Sequence, residues 1–172
     1  MNYDRAKLVT RLVGDEALRL QVYRCTAGKL TCGVGRNLDD VGIRPAERQA
    51  LGLTVDGIVK NGLTKSQALA LLDNDIAAVE ADLDRALPWW RTLSDVRQRV
   101  LLNMCFNLGI GRAASPGKKA KGLLAFVNTL AFMRTGNFVA AAKGMRVSLW
   151  ADQVGARAER LARMMETGKD VA

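Results

Sequence analysis

The sequence predicts an α+β fold that is mostly helical: a small lobe carrying a β-hairpin, a long connecting helix and a helical second lobe. Three patterns carry that expectation. Apolar residues recur at helical spacing through Ala68, Leu71, Leu72, Ile76, Val79 and Leu83. A denser apolar set, Val96, Val100, Leu101, Met104, Cys105 and Leu108, suits a buried central helix. Ahead of both, Leu18, Leu20 and Val22 alternate with polar neighbours, and a second such run from Leu30 to Val34 follows a turn at Gly28.

Taken in order, residues 3–13 read as a short amphipathic helix with Ala6, Val9, Leu12 and Val13 on one side. The hairpin follows, with Thr26-Ala27-Gly28-Lys29 as its turn. Pro45 to Leu51 allows a short helix, and Asp56-Gly57 and Asn61-Gly62 mark turns. Thr64 and Gln67 have capping-box spacing at the head of the long helix, which runs to about Leu87, where Pro88 breaks it. Ser94 can cap the central helix. Gly109 to Gly122 reads as a loop, Leu123 to Met133 as a helix ending at Gly136, Asn137 as the cap of another, and about Ala156 to Glu166 as the last. No repeat or long linker divides the chain, so one domain is expected: a small lobe at about 14–62, a connecting helix at about 64–87, and a helical lobe at about 88–172 that takes in the N-terminal helix.

Composition narrows the chemistry. A chain of 172 residues can bury a core. Its net charge of +9 favours an anionic polymer or surface as partner without choosing among nucleic acid, cell wall and acidic lipid. There is no run of 18 apolar residues to span a membrane, and residues 1–7 lack the apolar stretch of a signal peptide, so a cytoplasmic fold is expected. Three cysteines, Cys25, Cys32 and Cys105, are too few for a disulfide scaffold. The absence of histidine removes His-Glu-x-x-His zinc sites, Ser-His-Asp triads and Cys-His dyads, leaving carboxylates as acid–base groups. Gly33-Val34-Gly35 lacks the third glycine of a dinucleotide fingerprint.

One spacing stands out. Eight residues separate Glu16 from Cys25, and five separate Cys25 from Thr31. This resembles the catalytic segment of the T-even-phage lysozyme family, glycoside hydrolase family 24, in which Glu, usually Asp, and Thr stand at that spacing. Here a cysteine holds the aspartate's place, as in some relatives. Further segments resemble the family in order: Asn103 to Gly109, Leu124 to Leu130, and Trp150-Ala151-Asp152-Gln153 followed by Arg157 and Arg160. Residues 39–62 and 111–122 match poorly.

The resemblance implies a lysozyme-like two-lobed domain and an endolysin, a muramidase cutting the β-1,4 bond between N-acetylmuramic acid and N-acetylglucosamine of bacterial peptidoglycan during cytolysis. Glu16 would be the general acid and Arg157 its partner. Thr31 would hold the attacking water, since a hydroxyl both donates and accepts. Cys25 would orient that water, act covalently, or serve only as structure; a disulfide to Cys32 would block the first two roles. Gly35 would let backbone approach a sugar, and Phe106 and Asn107 would line the cleft. Trp89, Trp90 and Trp150 read as packing, Arg36 either as a pair for Asp75 across the lobes or as a solvated charge, and Lys118, Lys119 and Lys121 as a solvated basic loop.

No metal or organic cofactor is implied, nor a nucleic-acid partner. A monomer is expected, held in the host cytoplasm until a holin opens the way to the wall. Two alternatives stay open at this point: a lytic transglycosylase, which also uses one Glu but needs no base for water, and a non-catalytic basic domain binding wall or nucleic acid.

Overall fold

The computed structural model describes residues 3–171. The fold is α+β and mostly helical, with nine α-helices among the described residues and one small antiparallel sheet. The chain divides into two compact units, Ala6–Ala77 and Met1–Arg5 with Ala78–Ala172.

The first unit begins with α1, Arg5–Glu16, longer than the expected 3–13. Leu8 and Leu12, one helical turn apart, are its buried residues; Ala6, expected on that face, is exposed. The helix ends abruptly because Ala17 adopts a left-handed φ of 60°, the one such non-glycine residue among those described. That turn makes Glu16 the last helical residue and sends the chain into β1, Arg19–Arg24. β1 pairs antiparallel with β2, Leu30–Gly33, in the register Tyr23 to Thr31 and Arg24 to Leu30, with a register shift before Arg19 meets Gly33.

A third strand, β3 at Arg36–Asn37, extends the expected hairpin to the order β1-β2-β3. It pairs Cys32 with Arg36 and Thr31 with Asn37. Two residues carry no readable alternation, which is why the sequence pattern passes over it.

α2, Pro45–Leu51, starts on its proline, and α3, Val55–Asn61, is capped by Thr54, whose hydroxyl accepts from the Gly57 amide at 3.0 Å. Asp56-Gly57, expected as a turn, therefore lies inside a helix; the cap at Thr54 outweighs the turn preference of that pair. Cys32, Leu38, Ile43, Leu53, Ile58, Leu63, Ala68 and Leu71 form the unit's buried core. The long helix α4, Lys65–Ala86, opens on the expected capping box: the Thr64 amide donates to Gln67 Oε1 at 2.9 Å and the Gln67 amide to Thr64 Oγ1 at 3.1 Å.

In the second unit a 3-10 turn at Pro88–Thr92 precedes α5, Asp95–Leu108, whose residues from Gln98 to Cys105 are all buried. Ser94 occupies the cap position, but its side chain makes no cap bond. The loop after α5 is laced by a backbone ladder, Arg112 with Lys121 and Ser115 with Lys118. The expected helix Leu123 to Met133 is instead a 3-10 turn, Gly122–Ala125, and then α6, Val127–Arg134. α7, Phe138–Arg146, is capped by Asn137. α8, Leu149–Val154, and α9, Ala156–Thr167, complete the unit, with α7 and α9 packed together and α5 against α9. Trp90 and Trp150 are buried packing residues, as expected, and Trp89 is half-buried. No helix of the described residues is long and apolar enough to cross a membrane.

Candidate active site

Four of the expected site residues, Glu16, Cys25, Thr31 and Gly35, fall in the first unit. Glu16 ends α1, partly exposed. Beside it runs the turn between β2 and β3. Gly35 there has φ of 72°, and a β-carbon on it would stand 3.2 Å from Glu16 Oε2 and 3.5 Å from Glu16 Cδ and Cγ. The bare backbone of Gly35 is thus a shelf for the Glu16 side chain. A close approach was expected at this glycine; in the structure its neighbour is the carboxyl group of Glu16.

Cys25 closes the β1–β2 turn. Its amide donates to Lys29 O at 3.0 Å, and its carbonyl accepts from the Gly28 amide at 2.8 Å. The amides of Lys29 and Ala27, and the Thr31 hydroxyl, are directed at its sulfur and hold the thiol below its ordinary range. The other two thiols differ. Burial pushes Cys32 up to about 11 and Cys105 up to about 12. All three cysteines are free. Along β2, Thr31 and Cys32 face opposite ways, and Cys32 enters the apolar core.

Thr31 is buried, and its hydroxyl donates to Lys29 O at 3.0 Å. Tyr23, opposite Thr31 in the ladder, connects the two ends of this region. Burial raises its phenol first, and the Arg19 guanidinium, 4.4 Å from the ring centre, opposes that. The negative charges of Glu16 and Cys25 raise it further, so both lie within electrostatic reach of one side chain.

The remaining expected residues belong to the second unit. Phe106 is half-buried and Asn107 exposed near the end of α5. Asn107 Oδ1 accepts from Trp150 Nε1 at 2.8 Å, and Phe126 meets the Trp150 ring edge-on at 6.1 Å. Leu108, Phe126, Asn128, Trp150 and Gln153 line a pocket of about 870 Å³, which joins segments that the sequence separates widely. Arg157 is buried on α9, its Nε donating to Asn103 Oδ1 at 2.9 Å. Asn103 was not among the expected residues. Its signal is an amide, 1% exposed, in the middle of an apolar helix, where a polar group needs a partner.

The family model for phage lysozyme matches residues 14–161, most of the chain and every expected site residue. The chain belongs to the phage lysozyme family. It is 30% identical, over 97% of its length, to the pre-baseplate central spike protein Gp5 of Enterobacteria phage T4, and spans 28% of that protein. It is 25% identical to the probable T4-type lysozyme 1 of Dictyostelium discoideum, over 90% of each chain. The phage lysozyme match begins two residues before Glu16, so the α1–sheet junction lies inside it.

Proposed function

We propose that this chain is a muramidase that hydrolyses the β-1,4 bond between N-acetylmuramic acid and N-acetylglucosamine in bacterial peptidoglycan. The observation that carries the reading is Glu16 seated on Gly35, on the same small unit as Thr31 and as Cys25, whose thiol is held below its ordinary range. Glu16 delivers its proton to the leaving oxygen. Cys25, as thiolate or thiol, and Thr31 hold the attacking water. Gly35 in the first unit, and Phe106, Asn107 and Arg157 in the second, are the supporting residues of this reading. The reaction uses no metal or organic cofactor.

The biological setting is part of the same proposal. The enzyme is a monomeric endolysin, held in the host cytoplasm and given access to the wall by a holin. The likeness to a baseplate spike protein favours a second setting for the same chemistry, in which the domain cuts wall as part of a phage particle. Purified particles that carry the chain would support the second setting, and its presence only in the lysate the first.

Mass spectrometry of the muropeptides released from purified peptidoglycan tests the reaction. Hydrolysis leaves a free reducing muramic end, and early proton NMR should show inversion to the α anomer. A 1,6-anhydro end would place the protein among transglycosylases, and retention would indicate a covalent Cys25 intermediate. Salt-sensitive wall binding with no product would leave a binding domain.

A further inference from the structure

Arg36 follows Gly35 directly, and its side chain is 2% exposed. All three guanidinium nitrogens are engaged. Nε donates to Gly42 O at 3.1 Å, Nη1 to Asp75 Oδ1 at 2.6 Å, and Nη2 to Glu47 Oε2. Glu47 also accepts from the Arg44 amide at 2.8 Å, from Arg44 Nη1 at 3.0 Å and from Asn74 Nδ2 at 3.2 Å. Arg44 Nη2 reaches Asp75 Oδ1 at 3.0 Å. The network ties β3 to α2 through Glu47, to α4 through Asn74 and Asp75, and to the following loop through Gly42. Arg36 and Asp75 do pair as the sequence led us to expect, but inside the first unit, not across the lobes.

Burying the Arg36 guanidinium with two carboxylates is a poor route to stability, since apolar side chains of like volume do as well or better. A forked guanidinium with three partners is instead a device for fixing position, because its planar donors define both place and orientation. What this fork fixes is the strand that leaves the Gly33–Gly35 turn. Cys32 and Arg36 are paired across that turn, and a β-carbon on Gly33 would lie 3.7 Å from Leu63 and 3.8 Å from Ala68, so the other side of the turn rests on the core. Held at both ends, the turn presents Gly35 to the Glu16 carboxyl group.

We propose that Arg36 is a positioning residue for Glu16: its buried fork with Glu47 and Asp75 sets the Gly35 shelf that aims the proton donor. The inference rests on the reading of Glu16 as general acid. Arg36 itself touches no reacting atom.

The test is Arg36→Lys in the full chain, which keeps the charge and loses the fork. Two readouts are taken at a temperature where circular dichroism shows both proteins folded: kcat and KM on purified peptidoglycan, and the side-chain carboxyl carbon resonance of Glu16, assigned with Glu16→Gln. The expected result is a loss of roughly tenfold to 10²-fold in kcat with KM unchanged, as for a catalytic group displaced by up to about 1 Å, together with a displaced Glu16 resonance. A merely stabilising network would lower the melting temperature and leave kcat and the resonance as in wild type, and that result overturns the proposal. Should Arg36→Lys fail to fold, Asp75→Asn, which removes one charge at nearly constant shape, is read by the same two measurements. Should wild type release no saccharide, the muramidase reading fails, and the resonance alone decides the positioning role.

Discussion

At the scale of single residues, Cys25 is the position where the chemistry departs from a carboxylate and so can be tested by restoring one. Its sulfur accepts hydrogen bonds best as thiolate, and the Lys29 and Ala27 amides with the Thr31 hydroxyl favour that form. Activity should rise as pH rises through a value below the ordinary thiol range of about 8.5. Cys25→Asp should carry its full rate to lower pH, because its carboxylate ionises near about 4. Cys25→Ala should lose much of the rate at every pH. Rates of wall clearance from about pH 5 to 9 check this, and an Ala variant equal to wild type throughout would make Cys25 structural. Ala17 offers a second test. A left-handed alanine costs roughly 1–2 kcal/mol, part of which glycine recovers. Ala17→Gly should therefore raise stability by up to about 1 kcal/mol in denaturant unfolding. That Glu16, Cys25 and Thr31 fall on one small unit was legible because their spacing is a motif in the chain itself. The contact of Gly35 with Glu16, the turn amides at Cys25 and the Asn103–Arg157 bond were not, because backbone direction and long-range pairing leave no local pattern.

At the scale of elements, the helices were legible where an apolar stripe and a cap coincided. α4 shows both, and its capping box appears as read. Short pieces were not legible: β3 has two residues and α8 six, too few for any period to show. Leu123 to Met133 read as one helix because its apolar residues persist through the break at Phe126. The Arg36 network carries the element-scale prediction. Burial pushes Glu47 up, but Arg36, the Arg44 amide and Asn74 outweigh it and hold the carboxyl below its usual range. A depressed carboxyl contributes stability that is full above its unfolded value, about 4.3, and is lost as pH falls through its folded value. Asp75 opposes this, since burial there exceeds the pull of Arg36 and Arg44 and raises it. Glu47→Ala should cost about 3–5 kcal/mol at pH 7, as for a broken buried pair. In Glu47→Gln, stability should fall less steeply below about pH 4 than in wild type. Thermal unfolding across pH 3 to 7 reads both, and an unchanged acid limb would show that Glu47 titrates as an ordinary carboxyl.

At the scale of the whole molecule, a net charge of +9 predicts attraction to an anionic wall. Lysis should decline with added salt, since exposed charges are screened beyond roughly 10 Å at 0.1 M. Lys118, Lys119 and Lys121 are exposed on the laced loop, and replacing all three by alanine should weaken wall binding modestly and leave the rate on short soluble glycans unchanged. A loss of turnover with binding intact would give that loop a place in the chemistry. The fold class and family could be read from the sequence because several motifs occur in order over most of its length, whereas charge alone named no partner. The central claim is that Glu16 is the proton donor, and one substitution addresses it directly. Glu16→Gln should keep its circular dichroism spectrum and its wall binding while the rate of reducing-end release falls by about 10²–10⁴-fold, the range for removing a general acid. A folded Glu16→Gln enzyme that clears peptidoglycan at near the wild-type rate would contradict the account.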